Sequence, residues 1–186
     1  PTKNIDTGAG LERITSVVQN KKNNFETDLL FPILEEIAKK CNKKYGENDK
    51  TDFSLKVITE HARAVTFLVG DGVLPSNEGR GYILRRILRR AIRHARLLGN
   101  EELFLNTIID KVIDVMKVAY EDLEEKKEYI KKVVLIEEEK FSKTLDQGIK
   151  LVNDEILGAK SRGETKLSSE LVFKLHDTFG FPYELT

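Results

Sequence analysis

The sequence predicts a mainly α protein with one short strand near its N-terminal end. Three observations carry that expectation. From Leu30 to Ile156 apolar residues recur three and four positions apart, the spacing of one buried helix face. Glycines stand where several of these runs stop, at Gly46, Gly70 and Gly99, the usual place for a residue that ends a helix. The only segment without this period that still looks ordered is Ile5–Gly10, which reads as a strand end running into a Gly-bounded turn.

Taken in order, Leu11–Gln19 reads as a short helix, and the polar stretch Asn20–Asn24 as a break. Leu30, Ile33, Leu34, Ile37 and Cys41 mark the face of the next helix. Leu55, Ile58, Ala62, Val65 and Val69 mark another, opened by Thr51 or Asp52 as cap and closed at Gly70. Asp71–Gly79 is a loop of Gly, Pro, Ser and Asn. Beyond it Leu84, Ile87, Leu88, Ala91, Ala95 and Leu98 define a helix stopped by Gly99, and Glu102–Ala119 forms one more. From Asp122 to about Leu157 the pattern predicts a single helix of roughly 50 Å, in which Gly148 leaves room for a kink or break. A loop at Gly158–Gly163 precedes a last short helix, capped by Ser168 or Ser169 and ending near Asp177. These runs divide the chain into residues 1–26 and 27–186, with 159–186 as a small distal subregion.

The 186 residues carry 31 Lys+Arg and 31 Asp+Glu, so the average charge gives no sign of a polyanionic partner. No apolar run approaches the roughly 20 residues that span a bilayer. Cys41 has no second cysteine to pair with, which fits a reducing cytoplasm. With His61, His94 and His176 scattered along the chain it makes no metal-ligand spacing. The chain opens on Pro1 without an initiator Met and stops at Thr186, soon after Pro182 could have opened a helix. A fragment of a longer protein is the simplest account.

The average charge hides a local imbalance. Arg80, Arg85, Arg86, Arg89, Arg90, Arg93 and Arg96 lie between Gly79 and Asn100, a stretch with no acidic residue and no Lys. A solvated face is the usual fate of a charge run, but neighbouring helices mix both signs, as in Glu124–Lys127. Uncompensated guanidinium groups repel one another and call for anions, so several are expected to meet phosphates while others pair within the fold. Helical spacing puts Arg85, Arg89, Arg93 and Arg96 on one flank of the apolar stripe and Arg86 and Arg90 on the other.

Three further segments could carry chemistry. In Asp6-Thr7-Gly8-Ala9-Gly10-Leu11-Glu12-Arg13 the glycines could let backbone approach a ligand, and Arg13 could reach a phosphate with a two-pronged guanidinium. A plain turn with an exposed arginine is the other reading. Asn77, in the loop before the basic helix, could present its amide oxygen and nitrogen to a ligand, or Ser76 or Asn77 could simply cap that helix. Asp177, followed by Phe179, Gly180, Phe181 and Pro182, could be a carboxylate held by a packed turn, or a helix-end Asp bonded to its own turn.

Together these segments resemble alanyl-tRNA synthetases, over nearly the whole chain. Asp6–Arg13 looks like that family's class II motif 3, with Ala9 where methionine is usual. Asp71–Asn77 with Arg80–Arg90 looks like a second signature. His176–Pro182 looks like a third, with His176 and Phe179 where tyrosines are more frequent. The resemblance implies a helical tRNA-recognition domain preceded by a strand-helix remnant of the class II catalytic domain. It implies ATP-dependent attachment of alanine to its tRNA by the full-length enzyme, with ATP and Mg2+ bound there and neither retained by this fragment. Motifs 1 and 2 lie outside the chain, so the fragment alone is expected to be inactive.

By the same resemblance Arg13 would hold the ATP γ-phosphate, Asp6 the alanine ammonium, and Gly8 and Gly10 would shape the substrate wall. Asn77 and Asp177 would contact a G·U wobble pair in the acceptor stem, with Arg89 nearby and Arg85 and Arg93 at the same tRNA interface. The chemistry is consistent: A-form RNA exposes its minor groove, and the wobble leaves the guanine 2-amino group there unpaired. Replacing G·U by A·U removes that donor and strands its acceptor, a more severe penalty than a lost methyl. The rivals are a non-catalytic helical nucleic-acid-binding module and a structural domain whose arginines pair only internally. The segment at Asp6–Arg13 argues against both, since neither needs it.

Overall fold

The computed structural model describes residue 4 and residues 7–177, with side chains through Leu175. Among the described residues eight helices follow one another: α1 (Leu11–Val18), α2 (Phe31–Lys40), α3 (Asp49–Gly70), α4 (Gly79–Leu97), α5 (Leu105–Met116), α6 (Asp122–Glu125), α7 (Lys127–Ser161) and α8 (Ser169–Asp177). A 3-10 turn covers Asn24–Glu26. No strand occurs among the described residues. Ile5 and Asp6 of the expected strand lie outside them, and residues 7–10 have no regular structure.

Packing groups the chain into two compact units, Pro1–Leu135 and Ile136–Thr186, with the division inside α7. In the first unit α3 packs on α2, α4 and α5, and α2 also meets α5. Its core is the predicted apolar stripe: Ile33, Leu34 and Ile37 of α2 and Leu55 and Ile58 of α3 are fully buried. Leu84 and Leu88 of α4 and Ile108 and Ile109 of α5 join them. Burying a side chain of this size contributes about 1.5–3 kcal/mol relative to exposure, so these rows hold the four helices together. At the outer edge Asp110 of α5 accepts from Lys131 at 2.9 Å and pairs with Lys127 at 3.2 Å, tying the start of α7 to α5. In the second unit Phe141, Leu145 and Leu175 are buried.

Several boundaries differ from the sequence reading. Asn48, not Thr51 or Asp52, caps α3: its Oδ1 accepts from the Thr51 N–H at 2.9 Å. Asp52 instead accepts from the Gly46 N–H at 2.8 Å. The single helix expected from Asp122 is interrupted at Lys126, which has φ −90° and ψ 0°. The interruption lets α7 start so that Lys127 and Lys131 both face Asp110. Helix α7 runs through Gly148 and on to Ser161, into the segment expected as a loop. Helix α8 begins as expected, with Ser168 Oγ accepting from the Leu171 N–H at 3.2 Å.

Candidate nucleic-acid interface

Helix α3 ends on a left-handed glycine, and that ending launches the loop. Gly72, at φ +84°, donates to the Val69 carbonyl at 2.9 Å, and Val73 donates to the Leu68 carbonyl at 2.9 Å. Only glycine takes this φ without steric cost, so Gly72 both satisfies the last turn of α3 and redirects the chain. A second left-handed glycine, Gly79 at φ +56°, starts α4. The residues between them lie directly on the first turn of α4.

Gly81 lets the loop and helix meet this closely. A Cβ there would sit 2.2 Å from Ser76 Oγ and 2.3 Å from the Leu74 carbonyl oxygen, closer than any real side chain approaches. The Ser76 N–H donates to the Gly81 carbonyl at 3.1 Å, and the Ser76 hydroxyl donates to the Glu78 carbonyl at 2.8 Å. One turn further along α4, Arg85 holds the loop from its other side. Its Nη2 donates to the Pro75 carbonyl at 3.2 Å and its Nη1 to Asn77 Oδ1. Asn77 itself is exposed.

Of the two sequence readings of Asn77, the helix cap is the one the structure overturns. The helix cap is Glu78, and no side chain bonds the orphan N–H groups of α4, so Ser76 and Asn77 are not caps. The Asn77 amide oxygen is turned toward Arg85, from which it accepts one hydrogen bond.

The arginines of α4 divide as the spacing predicts. Arg85, Arg89, Arg93 and Arg96 are half-buried, and each has interaction partners within the protein. Arg80, Arg86 and Arg90 are exposed, beside the exposed side chains of Tyr82 and Ile83. With no acid in the first turn of α4, the helix dipole adds positive potential at the end that carries the loop. Arg90 also bears on His61 of α3. Burial, and secondly that guanidinium, push the imidazole down to about 4, so His61 is neutral near pH 7.

At the N-terminal end Gly10 is the extended residue before α1, and Arg13 is exposed. Gly8 and Gly10 have no left-handed φ, and a Cβ on Gly8 would meet nothing within 4 Å. Backbone conformation therefore does not account for these two glycines. Glu12 accepts from Arg63 of α3, and that hydrogen bond holds its carboxyl below the usual range. The pair fastens α1 to α3, while Leu11, Ile14, Val17 and Val18 of α1 remain exposed, an apolar face at helical spacing.

Two candidates fall at the edges of the described residues. Asp6 lies outside them, as does the segment 178–186. The backbone of His176 and Asp177 forms the last turn of α8, and their side chains lie beyond the described part.

Sequence reasoning missed three roles here: Gly81 as the seat of the loop, Arg85 as its clamp, and Arg63 as the anchor of α1. Gly81 carried a readable signal. A glycine in a helix costs up to about 1 kcal/mol against alanine, so its presence at a helix start points to something pressed against it. Arg63 and Arg85 carried none, because their partners are set by tertiary packing.

Comparison with known proteins gives this geometry a family. The family described as tRNA synthetases class II (A) matches residues 1–186. An alanine–tRNA ligase of Fusobacterium nucleatum is 67% identical over 186 residues, 100% of this chain and 22% of that protein. One from Clostridioides difficile is 58% identical over 184 residues, covering 99% of this chain and 21% of that protein. A third, from Natranaerobius thermophilus, is 53% identical over 184 residues, 99% of this chain and 21% of that protein. The chain thus spans about a fifth of the length of these relatives. Matched from its first residue to its last, the chain belongs to the class II (A) tRNA synthetases.

Proposed function

We propose that the protein containing this chain is an alanine–tRNA ligase, which activates alanine with ATP and transfers it to the 3′ end of its tRNA. The similarity to alanine–tRNA ligases along the full chain carries this reading. Residues 1–26 then belong functionally to the catalytic domain and residues 27–186 to tRNA recognition, with 159–186 a distal part. In that catalytic role Arg13 binds the ATP γ-phosphate and Asp6 the alanine ammonium. Gly8 and Gly10 keep the wall beside the substrate low, in line with the open space at Gly8. The exposed apolar face of α1 is covered by other parts of the catalytic domain. Mg2+ accompanies ATP in the full-length enzyme.

The recognition role is assigned to the acceptor stem. Asn77 and Asp177 contact a G·U wobble pair from the minor groove, and arginines of α4 other than Arg85 neutralise phosphates and position the duplex, with Arg89 near the pair and Arg93 on the same flank. The exposure of Asn77 on a loop fixed to a helix rich in arginine supports this assignment. Acceptor-stem duplexes differing only at the wobble pair, titrated against the full-length protein, test it. Tighter binding or faster charging of G·U than A·U is the expected result. Equal behaviour on both would leave a generic helical nucleic-acid-binding surface.

A further inference from the structure

We infer that Arg85 is a positioning residue rather than a phosphate ligand: it orients the Asn77 amide so that Asn77 meets the acceptor stem with its Nδ2 donor. This deepens, and rests on, the assignment of Asn77 to the wobble pair.

A guanidinium carries five N–H donors and no acceptor, so the group it touches on Asn77 must be the amide oxygen, not the amide nitrogen. The hydrogen bond from Arg85 Nη1 to Asn77 Oδ1 therefore fixes which end of the amide faces inward. Nη2 of the same guanidinium donates to the Pro75 carbonyl at 3.2 Å, so the planar fork spans two acceptors of one loop. Lysine cannot reproduce this, because an ammonium is a point charge on a flexible stem. The loop beneath has little freedom to turn away, since Ser76 is bonded to Gly81 and Glu78 and its Oγ lies where a Gly81 Cβ would be.

With Oδ1 turned toward Arg85, the end of the amide turned away from that guanidinium is Nδ2, for which no hydrogen-bond partner is found among the described residues. A donor at the minor groove seeks an acceptor: the uracil 2-oxo group or a purine N3. The guanine 2-amino group is itself a donor, so its partner must be a residue other than Asn77. A wobble pair shifts the uracil relative to its Watson–Crick position, so a fixed donor distinguishes G·U from A·U by where the 2-oxo group stands. A freely rotating amide would accept as readily as donate and would lose that distinction.

The test uses the full-length enzyme and tRNAs carrying G·U, A·U, or G paired with 2-thiouridine, whose sulfur is a weak acceptor. Charging efficiency and the salt dependence of binding are measured for wild type, Asn77→Ala, Arg85→Lys, Arg85→Ala and the double variant Arg85→Lys/Asn77→Ala. Asn77→Ala should lower kcat/KM on G·U on the order of ten-fold or more. Arg85→Lys should lower G·U charging comparably and A·U charging little, with an unchanged salt slope. The double variant should be no worse than Asn77→Ala, because both act through one amide. The 2-thio substitution should cost the wild type and add nothing to the loss in Asn77→Ala.

If Asn77→Ala discriminates G·U as well as wild type does, the wobble reading itself fails and the proposal falls with it. Suppose Asn77→Ala loses discrimination while Arg85→Lys keeps it, and Arg85→Ala weakens all stems alike with a slope reduced by about 0.7–0.9. Then the wobble reading stands and Arg85 is a phosphate ligand. A wild type indifferent to 2-thiouridine would overturn the donor assignment. Arg85→Lys keeps charge and bulk, so an unchanged melting temperature in that variant separates positioning from a general failure to fold.

Discussion

Replacing Gly81 by alanine adds one methyl group at the point where the loop bears on α4. The Cβ would lie 2.3 Å from the Leu74 carbonyl oxygen and 2.2 Å from Ser76 Oγ. The hydroxyl can rotate, but the carbonyl belongs to the backbone, so relief requires the loop to rise. An ordinary carbon–oxygen separation lies near 3.4 Å or beyond, which sets the displacement at about 1 Å. Alanine improves helix propensity by up to about 1 kcal/mol, while overpacking of this kind costs typically about 1–3 kcal/mol. The net loss should be modest, about 0–2 kcal/mol, and α4 should persist because Leu84 and Leu88 remain buried. The loss of function should be larger, since a group misplaced by about 1 Å can lower an enzymatic rate about a hundred-fold. Circular dichroism and thermal melting report the fold, and kcat/KM on G·U and A·U tRNA reports the loop. Unchanged discrimination, with stability equal to or above wild type, would refute the claim that the loop is seated on Gly81.

Other perturbations separate the roles along the chain. In the full-length enzyme Arg13→Ala should lower adenylate formation about ten-fold or more and spare tRNA binding, as read by pyrophosphate exchange and filter binding; the reverse pattern would remove Arg13 from the ATP site. Arg86→Ala and Arg90→Ala should each weaken every acceptor stem alike and flatten the log–log salt dependence by about 0.7–0.9 for each phosphate no longer neutralised. His61 is held at about 4 from an ordinary 6.5, so its folded-state preference for the neutral ring stabilises the protein above pH 6.5 and is lost as pH falls toward 4. His61→Gln should therefore show a shallower decline in melting temperature over that window. The difference should be on the order of 1 kcal/mol, since partial exposure of the ring screens the full effect. Identical pH profiles for the two proteins would show that His61 does not titrate in this window.

The helices were legible because their information is local. Leu84, Leu88, Ala91 and Ala95 announce the buried face of α4 by spacing alone, and all four are buried. Helix starts were less so, since Asn48, Thr51 and Asp52 lie within about one turn and all can cap. The choice fell to Asn48 because Asp52 is committed to the Gly46 N–H, a bond that depends on the path of the preceding loop. The break at Lys126 was invisible for a related reason: the apolar period continues across it through Leu123 and Ile130, both buried, while the pairing of Asp110 with Lys127 and Lys131 crosses between helices. At the candidate site the sequence marked Asn77 and the arginine run. It could not say that one arginine had taken the amide oxygen, because periodicity reports which face is buried and not which donor meets which acceptor.

That distinction changes what a charge run means. Seven arginines on one helix invite a single explanation, attraction to phosphate, and composition alone supports no finer one. The structure divides them into an exposed set, where charge is the available property, and a half-buried set, where the shape of the guanidinium matters as well. At Arg85 two acceptors, the Pro75 carbonyl and Asn77 Oδ1, are bridged by one fork, and only arginine has that geometry. Lysine should therefore be tolerated at Arg86 and Arg90 and not at Arg85, although all three substitutions conserve charge. A loop already held in its reading position also loses less conformational freedom on binding than one ordered by RNA. On this view the basic helix contributes affinity through its exposed arginines and specificity through the one that never needs to touch a phosphate.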